Sequence, residues 1–256
     1  PDRVIYLADA RQSMHFIQVF RCARKTGIVP DTTELVHIGF GTMNGKDGKP
    51  FKTRDGGVMR LEYLLKEIDD EMLNKIKENQ KEKENLNIDE AEAKQTAKTV
   101  ALAAVKYGDL SNQASKDYIF DIDRFTSFEG NTGPYILYTI VRIKSILSKY
   151  EAKGGDISAL KDAIMPAVNA GQKNLMLSLA KFNVTIESAY EESAPHKICA
   201  YIYELANAFN GFYHDTKILS EENEELKKSY ISLLVLTKEI LEACIDMLGF
   251  SAPDRM

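Results

Sequence analysis

Residues 105–147 read VKYGDLSNQASKDYIFDIDRFTSFEGNTGPYILYTIVRIKSIL, and this stretch decides the fold. Its second half has helical spacing. Ile136, Leu137, Ile140, Ile143, Ile146 and Leu147 recur at intervals of mostly three and four, which gathers them on one helix face. Pro134 suits the first turn, where a missing amide proton costs nothing. The same register brings Tyr135, Tyr138 and Arg142 together at i, i+3 and i+7. Two aromatic rings and a guanidinium on one face form a platform for an unstacked base. On spacing alone a plainer reading stands beside it: tyrosines at the edge of a core and a solvated arginine.

Downstream of Phe125 the pattern stays helical. Gly154-Gly155 breaks it, and further helices are expected over Ser158–Leu179, Pro195–Phe212 and Glu221–Leu248. Ile198, Tyr201, Ile202, Leu205, Phe209 and Phe212 form one apolar stripe. Leu226, Tyr230, Leu233, Leu234, Ile240, Leu241, Cys244 and Leu248 form another. Both read as core.

Upstream the character changes. Val4–Ala8 is a short apolar run, and helical spacing follows through Met14, Ile17, Phe20 and Ala23 until Gly27 and Pro30. Leu35–Phe40 is a second strand, so strand–helix–strand predicts a parallel βαβ unit. Two parallel strands do not bury themselves, and the remaining strands are expected before Pro1. A Gly- and Lys-rich loop around Phe51–Gly57 leads into a helix from Leu61. That helix runs out in the polar stretch KIKENQKEKENLN. Asp89 is placed to cap another helix, with Gly108 as its stop. The fold class is therefore mainly α, an incomplete Rossmann-type α/β segment followed by an all-helical bundle. The boundary is drawn between residues 1–123 and 124–256.

Composition narrows the function. The 256 residues are 44% hydrophobic and 28% charged, which excludes an intrinsically disordered chain. No run is long and apolar enough for a membrane helix. The net charge is −5, and neither half is basic, so a nucleic-acid partner has to be held by a local patch. Cys22, Cys199 and Cys244 are far apart and odd in number. With the scattered His15, His37, His196 and His214 they give no metal spacing, and the cysteines read as reduced core thiols of a cytoplasmic protein. On spacing alone the loop with Lys52 and Arg54 reads either as cations that follow charge on a departing pyrophosphate or as a solvated turn, and it is no Walker loop.

Several of these segments resemble arginyl-tRNA synthetases. Residues 105–147 resemble that family's junction between catalytic and anticodon-binding domains. IYLADARQSMHFIQVF (5–20) is similar to its late Rossmann strand–helix, CAYIYELANAFNGFYHDTKIL (199–219) to the anticodon-domain core, and APDRM (252–256) to the family's C-terminus. The resemblance implies a class I arginine-tRNA ligase with ATP, arginine and tRNA(Arg) as partners. It also implies Mg2+ arriving with ATP, no protein-bound metal, no membrane, a cytoplasmic location and a monomeric parent enzyme. FKTRDGG (51–57) takes the place of the KMSKS loop, which implies catalytic roles for Lys52 and Arg54. The second Lys of that pattern is absent here. Gln12 and His15 are implied for the substrate arginine, and Gly41 and Met43, with Lys52, for ATP. SFEGNT (127–132) matches a loop beside the anticodon, and Tyr135, Tyr138, Arg142, Tyr213 and Met256 are implied to hold the anticodon bases. No HIGH motif occurs, and His37-Ile38-Gly39-Phe40 only partly imitates one on a strand, so the chain is not expected to be active alone. Two other functions stay open: a free-standing tRNA- or RNA-binding module, and a helical protein-interaction domain.

Overall fold

The computed structural model describes residues 1–49, 60–82, 89–160 and 163–256. The chain forms two compact units, Pro1–Met59 with Asn112–Asp121, and Arg60–Ser111 with Ile122–Met256. Residues 60–111, on the catalytic side of the sequence boundary, thus pack with the C-terminal helices.

In the first unit, β1 (Arg3–Asp9) and β2 (Glu34–Phe40) pair in parallel, from Arg3 opposite Glu34 to Asp9 opposite Phe40. They are joined by a single 3-10 turn, Ala10–Gln12, and by α1 (Ser13–Lys25). Tyr6 on β1 meets Phe16 and Phe20 of α1, each at 5.3 Å between ring centres. Phe16 also stacks on His37 of β2 at 4.5 Å. Those rings hold the helix against the strands. The alternate positions Ile5 and Leu7 are exposed, Leu7 to 67%, among the described residues. Gly27 ends the helix at φ +70°, and the Arg24 guanidinium reaches the carbonyls of Pro30 and Thr33, fixing the return to β2. A second parallel pair, β3 (Met43–Asn44) with β4 (Tyr118–Ile119), was not legible from the sequence.

The second unit is helical: α2 (Leu61–Glu82), α3 (Glu90–Leu110), α4 (Ile122–Phe125), α5 (Gly133–Glu151), α6 (Ala170–Ala180), α7 (Phe182–Glu191), α8 (Pro195–Asp215) and α9 (Glu224–Met247). α2 buries Leu64, Ile68, Met72 and Ile76, one per turn, and α3 buries mainly alanines, which let its neighbours approach closely. Most residues of the two apolar stripes are buried as expected, although Leu226 and Ile240 stay partly exposed. Each fully buried aliphatic side chain contributes about 1.5–3 kcal/mol of transfer free energy. Asp89 caps α3 by accepting from the Glu92 amide at 2.8 Å.

Three expectations are corrected. α3 runs past Gly108 to Leu110, because Gly108 is a packing position: a Cβ there would come within 2.5 Å of the Phe125 ring. Of the helix expected over Ser158–Leu179, the described residues form a 3-10 turn at Ser158–Leu160 and α6 from Ala170, with residues 163–169 outside any helix. Serines of α9 satisfy backbone groups that a helix would have paired internally: Ser232 Oγ donates to the Leu160 carbonyl at 2.7 Å, and Ser229 Oγ accepts from the Met165 amide at 2.9 Å. Finally, Cys22 is exposed, whereas Cys199 and Cys244 are buried and their thiols are pushed up to about 12 by that burial.

Candidate nucleic-acid interface

The start of α5 is built from GNTGPY. Gly130 has φ +78°, which turns the chain, and the Thr132 hydroxyl accepts from the Tyr135 amide at 3.2 Å as the cap. Gly133 lies so close to α3 that an added Cβ would sit 2.3 Å from the Ala103 carbonyl oxygen. The preceding loop is held from inside. The buried Tyr107 hydroxyl is 2.5 Å from Asn131 Oδ1 and 2.9 Å from the Cys199 carbonyl, and burial raises its pKa above the ordinary phenol range. Loop, α3 and α8 are thereby fixed together beneath α5.

With its aliphatic face in the core, α5 leaves Tyr135, Tyr138 and Arg142 half-buried beside α8. The Arg142 guanidinium carbon lies 4.8 Å from the centre of the Tyr138 ring and 5.4 Å from that of Tyr213. Its Nη1 donates to Asn210 Oδ1 at 2.6 Å. Asn210 Nδ2 donates to the Tyr135 hydroxyl oxygen at 2.9 Å, and the Tyr135 hydroxyl donates to Asn207 Oδ1 at 2.6 Å. Tyr203 meets the Tyr135 ring edge-on at 5.7 Å, and Phe209 supports Tyr213 at 5.9 Å. The structure therefore brings four of the expected residues, Tyr135, Tyr138, Arg142 and Tyr213, into one cluster. Such a surface offers ring faces for stacking and a held cation for a base edge or a phosphate.

Met256 closes a tail that is fastened separately. Lys144 of α5 donates to the Pro253 carbonyl at 3.3 Å and pairs with Asp254 and Glu242, each at 3.3 Å. Arg255 grips Glu92 of α3 through two bonds of 2.5 and 2.6 Å. The sequence reading missed Asn207, Asn210 and Tyr203. The one available signal was the three-residue spacing of Asn207, Asn210 and Tyr213 along the edge of the α8 stripe.

The first unit holds the other candidates. Asp9 closes the turn after β1, accepting from the Arg11 amide at 2.8 Å and from its guanidinium at 2.6 and 2.9 Å. The Arg11 hydrogen bonds lower the Asp9 pKa to about 2. Gln12 and His15 follow at i and i+3, both exposed, at the carboxyl end of β1. Gly39 of β2 lies against Ala10, so Gly41 and Met43 leave the sheet at that same end. Gly41 is required there: a Cβ would meet the Lys116 carbonyl group at 2.4–2.5 Å. The open carboxyl end of a parallel sheet is where such folds gather ligands. Lys52 and Arg54 lie outside the described residues.

Comparisons with known proteins divide the chain differently from its compact units, which place residues 60–111 with the C-terminal helices. Residues 1–122 match the family model described as tRNA synthetases class I (R), catalytic domain. Residues 136–256 match the DALR anticodon binding domain. The chain is 99% identical over 256 residues to an arginine–tRNA ligase of Agathobacter rectalis, covering all of this chain and 43% of that protein. It is 55% identical to the arginine–tRNA ligase of Alkaliphilus oremlandii, covering all of this chain and 42% of that one. The crystal structure of arginyl-tRNA synthetase from Plasmodium falciparum superposes with a TM-score of 0.80 at 27% identity, over the whole chain and 41% of that structure. The chain thus spans less than half the length of the relatives it matches.

Proposed function

This chain belongs to the class I arginyl-tRNA synthetase family, and from that premise we propose that it takes part in the ATP-dependent attachment of arginine to its cognate tRNA. Residues 1–123 serve the arginine and ATP side, and residues 124–256 read the anticodon. The observation that carries the reading is the Arg142 guanidinium held between the Tyr138 and Tyr213 rings. All three residues fall within the segment matched by the anticodon-binding family model. Each stacked base contributes about 1–3 kcal/mol, which suits a protein whose net charge of −5 gives little non-specific attraction to RNA.

On the catalytic side, Gln12 and His15 contact the substrate arginine, and the backbone at Gly41 and Met43 faces the adenine of ATP. Lys52 and Arg54 follow the phosphates as pyrophosphate leaves. Met256 contributes at the anticodon with Tyr135. ATP enters with Mg2+. Among the described residues no three His, Cys, Asp or Glu side chains converge. No helix among the described residues is long and apolar enough to cross a membrane. A cytoplasmic location and a monomeric parent enzyme complete the proposal. With no HIGH motif in its sequence, the 256-residue chain is expected to bind tRNA without charging it.

The test is equilibrium binding of the chain to arginine tRNA and to the same tRNA with its central anticodon base changed, at two salt concentrations. Phosphate contacts alone give a steep salt dependence and no base discrimination. A loss of about tenfold or more on changing the base, ~1.4 kcal/mol, supports anticodon reading. Equal binding to both tRNAs overturns it and returns the bundle to a protein-interaction role.

A further inference from the structure

Arginine can only donate hydrogen bonds, and that fixes the direction of a relay along the α5–α8 seam. Arg142 donates to Asn210 Oδ1, so the Asn210 amide nitrogen faces the other way. There it donates to the Tyr135 hydroxyl oxygen at 2.9 Å and lies 3.4 Å from Thr139 Oγ1. With the Tyr135 oxygen accepting, its proton passes onward to Asn207 Oδ1 at 2.6 Å. The carbonyl end of Asn207 is therefore engaged, and its amide nitrogen points out of the relay. Asn207 is exposed, and that nitrogen has no hydrogen-bond partner among the described residues.

A free asparagine amide offers a base either a donor or an acceptor by turning over, and so distinguishes poorly between edges. An amide locked by its carbonyl offers only donors. We infer that Asn207 is a specificity-determining residue, whose outward amide donates to a ring nitrogen or carbonyl oxygen on the edge of an unpaired anticodon base, and that Asn210 is the residue that positions it. A base presenting an amino group at that place meets donor against donor and is rejected, because an unmatched polar contact discriminates more strongly than a missing apolar one. The inference rests on the anticodon reading proposed above.

Two substitutions separate the roles of Asn207. Asn207→Asp keeps an oxygen to accept the Tyr135 proton and has no donor to offer. Asn207→Ala removes both. Asn210→Leu cuts the relay upstream and leaves the Asn207 side chain free to turn over. Each is measured in the full chain against arginine tRNA and against tRNAs with single anticodon bases changed. High salt is included so that repulsion of the new carboxylate by phosphates is screened.

The expected result is that Asn207→Asp and Asn207→Ala bind arginine tRNA about tenfold or more weakly, with little change toward one base-changed tRNA. Asn210→Leu is expected to narrow the same ratio chiefly by binding that base-changed tRNA more tightly. Helical circular dichroism is expected to stay unchanged for the exposed Asn207 variants. If Asn207→Asp keeps the wild-type discrimination at high salt, Asn207 is only an acceptor for Tyr135 and this inference fails while anticodon reading stands. If the wild-type chain itself does not discriminate, both fail together.

Discussion

Arg142 lies with its guanidinium carbon 4.8 Å from the Tyr138 ring centre on its own helix, while its Nη1 donates across to Asn210 on α8. One cation is therefore fixed by a ring and by an amide on two different helices. Replacing it with Lys keeps the charge but loses the planar fork. Arg142→Lys is expected to keep most of the salt-dependent tRNA affinity and to lose about tenfold in discrimination between anticodons, measured as the ratio of Kd values. Full discrimination in the Lys variant would show that charge alone is used.

Gly133 is a second critical point. A methyl group there would meet the backbone carbonyl oxygen of Ala103 at 2.3 Å, with no flexible side chain to give way. Gly133→Ala is expected to lower the unfolding free energy by about 1–3 kcal/mol, the usual range for overpacking, in urea titrations of helical signal.

The turn after β1 carries a pH signature. Asp9 has a folded pKa of about 2 against an ordinary 3.8, because Arg11 bonds to its ionised form. A depressed carboxylate pKa stabilises the folded state above the unfolded value, and the gain disappears as pH falls through the folded one. The Asp9–Arg11 contribution is thus complete above about pH 5 and fades between pH 4 and 2. Titration of the Asp9 carboxyl carbon by NMR should have its midpoint near 2, and a midpoint near 4 would contradict the paired turn.

The cysteines should separate by reactivity. Burial raises the Cys199 and Cys244 thiols to about 12, so almost no thiolate is present at neutral pH, whereas Cys22 is exposed. A thiol reagent at pH 8 is expected to label Cys22 promptly, and the other two only after denaturant unfolds the helical unit. Mass spectrometry of the labelled peptides reads this directly.

Much of this architecture was legible beforehand where periodicity and chemistry agree. α5, α8 and α9 carry apolar stripes, and Pro134 marks the first turn of α5. The helix expected onward from Ser158 was misread because the Leu160 carbonyl and the Met165 amide are satisfied by Ser232 and Ser229, more than sixty positions away. Gly108 was misread for a related reason: whether a glycine ends a helix or admits a neighbour depends on Phe125, which is invisible to local patterning. Of the cluster between α5 and α8, the ring and arginine residues could be named from spacing and resemblance. Asn207 and Asn210 could not, since a polar residue on a helix edge looks like ordinary solvated surface until the facing helix is known.

The seam between α5 and α8 also has a metric. Asn207, Asn210 and Tyr213 succeed one another every three residues, so their rungs are about 4.5 Å apart along the helix axis. Bases in a stacked strand succeed one another about every 3.4 Å. The two scales drift apart by roughly a third of a base per rung, so a strand that keeps its stack falls out of step within three nucleotides. Only a strand whose bases are splayed can occupy successive rungs. Helical rise by itself thus favours the open loop of a hairpin over any paired or continuously stacked stem.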